Sequence, residues 1–439
     1  MVQSKIDIAR VLLVAETTGY QIRMFGDVAE RCGIALIFAT DRCHQLDDPW
    51  RDAAVPVRFY NEEESVRAIV EKVSPGHIDG IVAVGDRPAV LAALAAQALG
   101  VPFHPTEAAR LATNKLETRG RFRDAGVPVP WFKSVPLDID NRELGDVPFP
   151  CVVKPLTLSA SRGVIRVDSP TELETAIGRL SKLLRSTSVL SRREKTSDIF
   201  LIEKYIAGRE VAIEGFVTNG RFRVLTIFDK PDPLEGPFFE ESIYVTPTSL
   251  SEFEQHRVER QVDAAIQSLG LTHGPVHAEC RVSEGSVFVL EVAPRSIGGL
   301  CSRVLRFKGP RGEIVFEELI LRHALAEPVE QYRLASEAAA VMMMPVPEAG
   351  VFKKVDGVET ARSMPLIEDI IVTAKRDQRF VPWPEGSSYP GFIFARGDTA
   401  ADVVTSLRNA YAALRFCLLY TSDAADEGLG VDLGGRRII

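Results

Sequence analysis

Two acidic residues stand in one largely apolar hairpin: His277-Ala278-Glu279-Cys280-Arg281-Val282 is followed by Val287-Phe288-Val289-Leu290-Glu291-Val292. Carboxylates are depleted in strands, so a pair of them in a single hairpin demands a chemical reason. Ser283-Glu284-Gly285 suits a three-residue loop with Gly285 in the left-handed position, and an odd loop keeps Glu279 and Glu291 on one face, opposite or diagonal to each other. A two-residue turn would send them to opposite faces. Side-by-side carboxylates repel unless a cation joins them, and Mg²⁺ that also holds substrate phosphates is the usual cation for such an all-oxygen site.

A chain of 439 residues exceeds what one core usually supports, so two to four domains are expected. Its 52 Lys and Arg against 60 Asp and Glu give a mildly acidic, mixed surface, with no electrostatic case for nucleic acid or an anionic membrane as partner. The six cysteines show no paired CxxC spacing and read as reduced thiols of a cytoplasmic protein without structural zinc. No apolar run approaches the roughly 20 residues of a membrane span. The seven histidines are scattered without metal spacing, except that His277 shares the face of Glu279.

The first hundred residues alternate strand and helix: strands over 10–15, 34–40 and 80–84, helices over 22–32, 62–73 and 88–99. That period implies a small doubly wound parallel sheet. No GxGxxG follows its first strand, so a dinucleotide site is not supported. A helix over 115–124, strands over 151–154, 163–167, 199–203 and 210–217, and a polar, basic run over 181–197 that reads as a mobile loop come next. A helix over 316–324 precedes a last unit of short strands and one helix over 400–414. The stretch Cys417-Leu418-Leu419-Tyr420-Thr421-Ser422-Asp423-Ala424-Ala425-Asp426-Glu427 resembles the translation of a transposase-type sequencing adapter. The natural sequence is therefore expected to stop near Phe416, with 417–439 set aside from fold reasoning.

Lys154 ends the strand Cys151-Val152-Val153-Lys154 and is followed by the small-residue loop Ser159-Ala160-Ser161-Arg162-Gly163, which can lay backbone N–H groups and hydroxyls over phosphates. In isolation it would read as a solvated lysine before an ordinary turn. Leu201-Ile202-Glu203-Lys204-Tyr205-Ile206-Ala207-Gly208-Arg209-Glu210 then runs a strand through a turn into a second strand, offering backbone groups to a base edge and a carboxylate to a ribose.

In this order the residues resemble the ATP-grasp superfamily, the ATP-dependent carboxylate-amine ligases, over about 114–324. The resemblance implies an ATP-grasp fold, α/β and α+β, with an N-terminal Rossmann-like domain (1–113), a nucleotide-binding domain (114–327) and a C-terminal α+β cap (328–416). It implies ATP and Mg²⁺ as cofactors, one ion or two, with Mn²⁺ as an alternative. Lys115 and Lys154 would hold the α- and β-phosphates, and Ser161, Arg162 and Gly163 would close over the triphosphate. Glu203, Lys204 and Ile206 would line the adenine site, Glu210 would meet the ribose, and Glu279 and Glu291 would be the metal ligands. Arg295, Gly298 and Gly299 would face the transferred phosphoryl group and the substrate carboxylate. Members usually carry Asn two residues after the second acidic ligand, where this chain has Ala293, which puts a second metal in doubt.

The outer segments look most like the L-amino acid ligases, whose acidic residue and His three positions on approach the substrate; here Glu241 is followed by Tyr244. The expected reaction joins a carboxylate to an amine, both small molecules and amino acids by resemblance, through an acylphosphate, with a homodimer left open. Two rivals are a bicarbonate-activating enzyme of the biotin carboxylase type and an ATP-binding protein without turnover.

Overall fold

The structure is a computed structural model that describes residues 8–16, 21–41, 54–73, 77–140, 143–193, 198–283 and 285–419. Its N-terminal sheet is parallel, ordered Val55–Pro56, Ala35–Thr40, Arg10–Ala15, Gly80–Val84. Val11, Leu12, Leu13 and Val14 are fully buried, as expected of a strand covered on both faces by helices. The helix expected from residue 88 begins at Asp86. A carboxylate in the first turn suits the helix dipole, and Pro88 is tolerated there because its missing N–H would be unpaired anyway.

A second, antiparallel sheet orders Phe132–Pro136, Ile199–Lys204, Cys151–Pro155, Ile165–Val167. The helix Pro170–Leu184 packs on it and is capped by Ser169, whose side chain accepts from the Glu172 N–H. This helix and the short helix Thr187–Leu190 replace the mobile loop expected over 181–197; residues 194–197 lie outside the described residues. The expectation failed because Ser181 and Lys182 are the outer face of a stripe formed by Leu173, Ala176, Ile177, Leu180 and Leu184, which has helical spacing only when read from its start.

The third sheet has eight strands: Ser286–Ala293, Gly274–Ser283, Arg209–Thr218, Arg221–Asp229, Ile243–Thr246, Ala338–Met343, Gly391–Gly397, Ile367–Val372. Its first five strands belong to the middle of the sequence and its last three to the C-terminal unit, so one sheet crosses the boundary expected near 327. The helix Glu252–Leu269, with a complete capping box at Ser251 and Glu254, covers one end, and Ala400–Ala412 covers the other. The strand Arg415–Leu419 pairs with Gly350–Asp356 and so continues three residues past the expected limit at Phe416. Leu418 meets the main core there; residues 420–439 lie outside the described residues. No described helix is long and apolar enough to cross a membrane.

Candidate active site

The hairpin that carries the two glutamates is built differently from expectation. Ser283 pairs directly with Ser286, which leaves two residues in the turn: Gly285 has a φ of 80°, and Glu284 lies outside the described residues. A regular ladder from that turn would set Glu279 against Leu290. Instead a β-bulge at Leu290 shifts the register, and Glu279 stands opposite Glu291. The extra residue leaves backbone groups unpaired, and Arg119 supplies donors to them, Nη2 to Leu290 O at 2.8 Å and Nη1 to Val289 O at 3.3 Å.

Both glutamates face a cleft of about 2740 Å³ between the three sheets. The cleft is also lined by Lys115, Lys154, Ser161, Arg162, Glu203, Lys204, Ile206, Glu210, Glu241, Tyr244, Arg295, Gly298 and Gly299. Among the expected residues, Gly163 alone is set back from it: its N–H donates to Pro384 O at 2.7 Å, and a Cβ there would press on Leu183 and Leu180.

On one wall, Asn114 caps the helix Lys115–Asp124 through the Leu116 and Glu117 N–H groups. This puts Lys115 at the cleft, with Nζ 3.0 Å from Leu158 O and 3.5 Å from Glu291. Arg119, one turn on and fully buried, faces the same way as Lys115 because residues four apart share a helix face. It bonds Glu203 at 2.7 Å, and Lys154 reaches the other oxygen of Glu203 at 2.5 Å. Glu203 is therefore bound to two cations, Arg119 and Lys154. Burial opposes its charge, but Arg119 and Lys154 outweigh burial and hold its pKa below the ordinary range. Burial brings the Lys154 ammonium down to about 8 although Glu203 pulls the other way.

On the opposite wall Lys230, 3% exposed at its side chain, donates to Glu241 at 2.6 Å, Glu210 at 2.8 Å and Glu279 at 2.9 Å. These three carboxylates are close enough together to share one metal ion, but Lys230 already uses all three of its protons on them. Burial works against its charge; the three glutamates more than offset this and raise its pKa well above normal. Glu210 also pairs with Arg281 at 2.8 Å, and Tyr244 Oη donates to Glu241 at 2.7 Å. Burial first, then repulsion from Glu279, lifts Glu241 to about 7. Glu279 moves the other way: burial disfavours its charge, yet Lys230 and His277 hold it well below the carboxylate range.

His277 contacts Glu214 through Nδ1 and lies 3.6 Å from Glu279 through Nε2. Burial lowers its pKa, but Glu214 and then Glu279 win and raise it to about 9. Its register partner is Ala293, so an imidazole stands across the ladder from the small residue. Arg295 is held by Asp86 at 2.7 Å, which overcomes burial and raises its pKa. Sequence reasoning missed Arg119, Lys230, Glu214 and Asp86. The signals were thin: Arg119 falls four residues after Lys115, and Lys230 follows the apolar strand in Phe228-Asp229-Lys230-Pro231.

Known proteins resemble this chain in sequence and fold. Residues 147–304 match the ATP-grasp domain family, residues 27–103 the ATP-grasp N-terminal domain, and residues 342–418 the L-amino acid ligase C-terminal domain 2. The chain belongs to the ATP-grasp superfamily. Within this superfamily it is most like the L-amino acid ligase group. The crystal structure of L-amino acid ligase from Bacillus licheniformis superposes with a TM-score of 0.81 at 26% identity, covering 94% of this chain and 99% of that one. The ATP-grasp enzyme fsqD of Aspergillus fumigatus is 27% identical over 60% of this chain and 46% of its own length. Alanine–anticapsin ligase of Bacillus amyloliquefaciens is 26% identical over 54% of this chain and 52% of its own. The chain thus spans about half the length of these two curated relatives.

Proposed function

We propose that this ATP-grasp protein is an ATP-dependent carboxylate-amine ligase that joins two amino acids through an acylphosphate. The observation that carries the reading is the single cleft in which a phosphate-attracting wall, Lys115 and Lys154, faces Glu279 and Glu291 paired across a bulged ladder. Lys115 and Lys154 take the α- and β-phosphates, with Ser161, Arg162 and Gly163 in the loop that closes over them. Glu203, Lys204 and Ile206 line the adenine pocket, and Glu210 lies at the ribose.

The donor set fits Mg²⁺, since two facing carboxylates give an all-oxygen pair for a hard cation. Glu279 and Glu291 would hold it, and its charge would screen the triphosphate. Lys230 already occupies one oxygen of each of Glu210, Glu241 and Glu279, which supports one ion in preference to two. The substrate carboxylate attacks the γ-phosphorus and ADP departs; positioning and charge neutralisation carry most of such a step. The amine then attacks the acyl carbon, phosphate leaves, and an amide remains. Arg295, oriented by Asp86, stabilises the developing negative charge beside the backbone of Gly298 and Gly299. Glu241, with Tyr244 bonded to it, faces the substrate end and suits an ammonium group. The L-amino acid ligase likeness over 342–418 favours this reading over a bicarbonate-activating one.

An ADP-release screen over amino-acid pairs, with the product identified by mass spectrometry, tests it. Release that requires both an acid and an amine, with an amide formed, is the expected result. Release with bicarbonate and no amino acid, or no release with any pair, would overturn it.

A further inference from the structure

The loop 159–163 does not stand free over the cleft. A segment of the C-terminal unit more than two hundred residues away grips it at three points. Gly163 N–H donates to Pro384 O at 2.7 Å, Trp383 Nε1 donates to Ala160 O at 2.9 Å, and Arg162 Nε donates to Glu385 O at 2.9 Å. Ala160 and Ser161 have φ values of 56° and 53°, a left-handed conformation that residues with a Cβ rarely adopt unless their surroundings fix it. The grip is itself anchored. Arg179, on the helix Pro170–Leu184 behind the loop, forks onto the Glu385 carboxylate with two bonds of 2.9 Å and stacks over the Phe238 ring. Trp383 is buried and packs on Tyr389, 4.9 Å between ring centres. A few residues on, Ser387, Ser388 and Tyr389 line the same cleft as Glu241 and Tyr244.

We propose that residues 383–385 form a brace that holds the loop 159–163 shut over the nucleotide, with Arg179 and Glu385 as positioning residues. The proposal rests on the reading of this cleft as a ligase site. The brace ties the loop to the cleft-lining segment 387–389, so a change there is passed to the phosphate cover through three residues of continuous backbone. Its chemical purpose is to exclude water. If the cover lifts while an acylphosphate is present, a water oxygen attacks the acyl carbon, the C–O bond to phosphate breaks, phosphate leaves and the free acid is regenerated. ATP is then hydrolysed with no amide made, so a weakened brace shows as wasted ADP.

Two readouts on the full chain decide the matter. The first is ADP released per amide formed; the second is the rate at which trypsin cuts after Arg162 in the nucleotide-free protein, with folding checked by circular dichroism. Glu385→Ala should raise both roughly three- to fivefold, the worth of a partly exposed ion pair. Trp383→Phe, which keeps an aromatic ring against Tyr389 and removes the N–H donor, should quicken the cleavage as well. Restoration of the wild-type ratio on combining Arg179→Glu with Glu385→Arg would support the brace through the pair itself. Unchanged cleavage and an unchanged ratio in both Glu385→Ala and Trp383→Phe would overturn it. Absence of ADP release from the wild-type chain with every substrate pair would count against the ligase reading, whereas the cleavage rates would still judge the brace.

Discussion

Two buried charge clusters share one cleft, and their balances are opposite. Around Glu203 two cations, Arg119 and Lys154, meet one carboxylate. Around Lys230 one cation meets three carboxylates. Glu203 leaves one positive charge over, whereas around Lys230 Glu210 is also paired with Arg281 and Glu279 lies beside His277, so an incoming anion is favoured at the first cluster and not at the second. Burial penalises charge in both clusters. The difference lies in which groups give way: Lys154 drops to about 8 in the cation-rich cluster, and Glu241 rises to about 7 in the carboxylate-rich one.

This contrast can be broken at its most heavily shared group. Lys230→Met removes the only cation that bonds all three carboxylates and should destabilise the fold by about 3–5 kcal/mol; urea denaturation measures it, and an unmoved midpoint would show that the glutamates do not depend on the ammonium. Next, Glu291→Gln should cut turnover by at least about 100-fold, the order seen when a charge-stabilising group is lost from a reacting centre, while leaving the melting temperature in place. Near-wild-type ADP release from this variant would sink the metal assignment. On the cation-rich wall, Lys154→Ala should weaken ATP binding by roughly tenfold, equivalent to about 1.4 kcal/mol, with Arg119 still holding Glu203. Calorimetric titration checks this, and equal affinity would remove Lys154 from the phosphate site.

A buried titratable group without a charged partner sharpens the comparison from outside the cleft. His104 is 2% exposed, lies 3.1 Å from Pro275 O, and is held neutral by burial, which lowers its pKa from 6.5 to about 4. Because the folded value is depressed, the unfolded chain binds the proton first as pH falls. The stabilisation is complete above 6.5 and is lost between 6.5 and about 4. By pH 5.5 the loss should be about 1 kcal/mol. Urea midpoints at pH 7.5 and 5.5 measure it in the wild type and in His104→Gln, and an equal loss in both would assign the acid sensitivity to other groups.

What could be read from the sequence divides along the same physical lines. The strand Arg10–Ala15 and the helices Ile22–Cys32, Glu62–Val73 and Lys115–Asp124 were legible to the residue: the strand is a continuous apolar run buried on both faces, the first two helices each bury one periodic face, and the third starts at its cap residue Asn114. Residues 181–197 misled because the buried stripe of their helix starts upstream at Leu173. The residues expected at a phosphate or a metal sit in short, ordered motifs and were legible as candidates that, Gly163 apart, line one cleft. Arg119 and Lys230 were not, since they are buried partners whose reason for being charged lies on other strands. The hairpin shows a third kind of limit: Glu279 and Glu291 do share a face, as expected, but through the bulge at Leu290 and not through a three-residue loop. The ordered motifs pointed to the family, and the matches over 27–103, 147–304 and 342–418 agree with it.

The bulge at Leu290 also sets a rule for how this hairpin can change over time. With Ser283 opposite Ser286, the ladder needs one bulged residue for the two glutamates to meet. The count of residues from Ser286 to Leu290 against that from Cys280 to Ser283 decides whether they meet, and the bulge absorbs the one residue by which the first exceeds the second. Deletion of Leu290 would remove the surplus residue and leave Glu291 opposite Glu279 on a regular ladder, whereas one more residue between Ser286 and Leu290, with the single bulge kept, would turn Glu291 to the other face. Lineages that keep the pair opposed are therefore expected either to keep the bulge or to have lost one residue between Ser286 and Glu291, whatever the length of the tip.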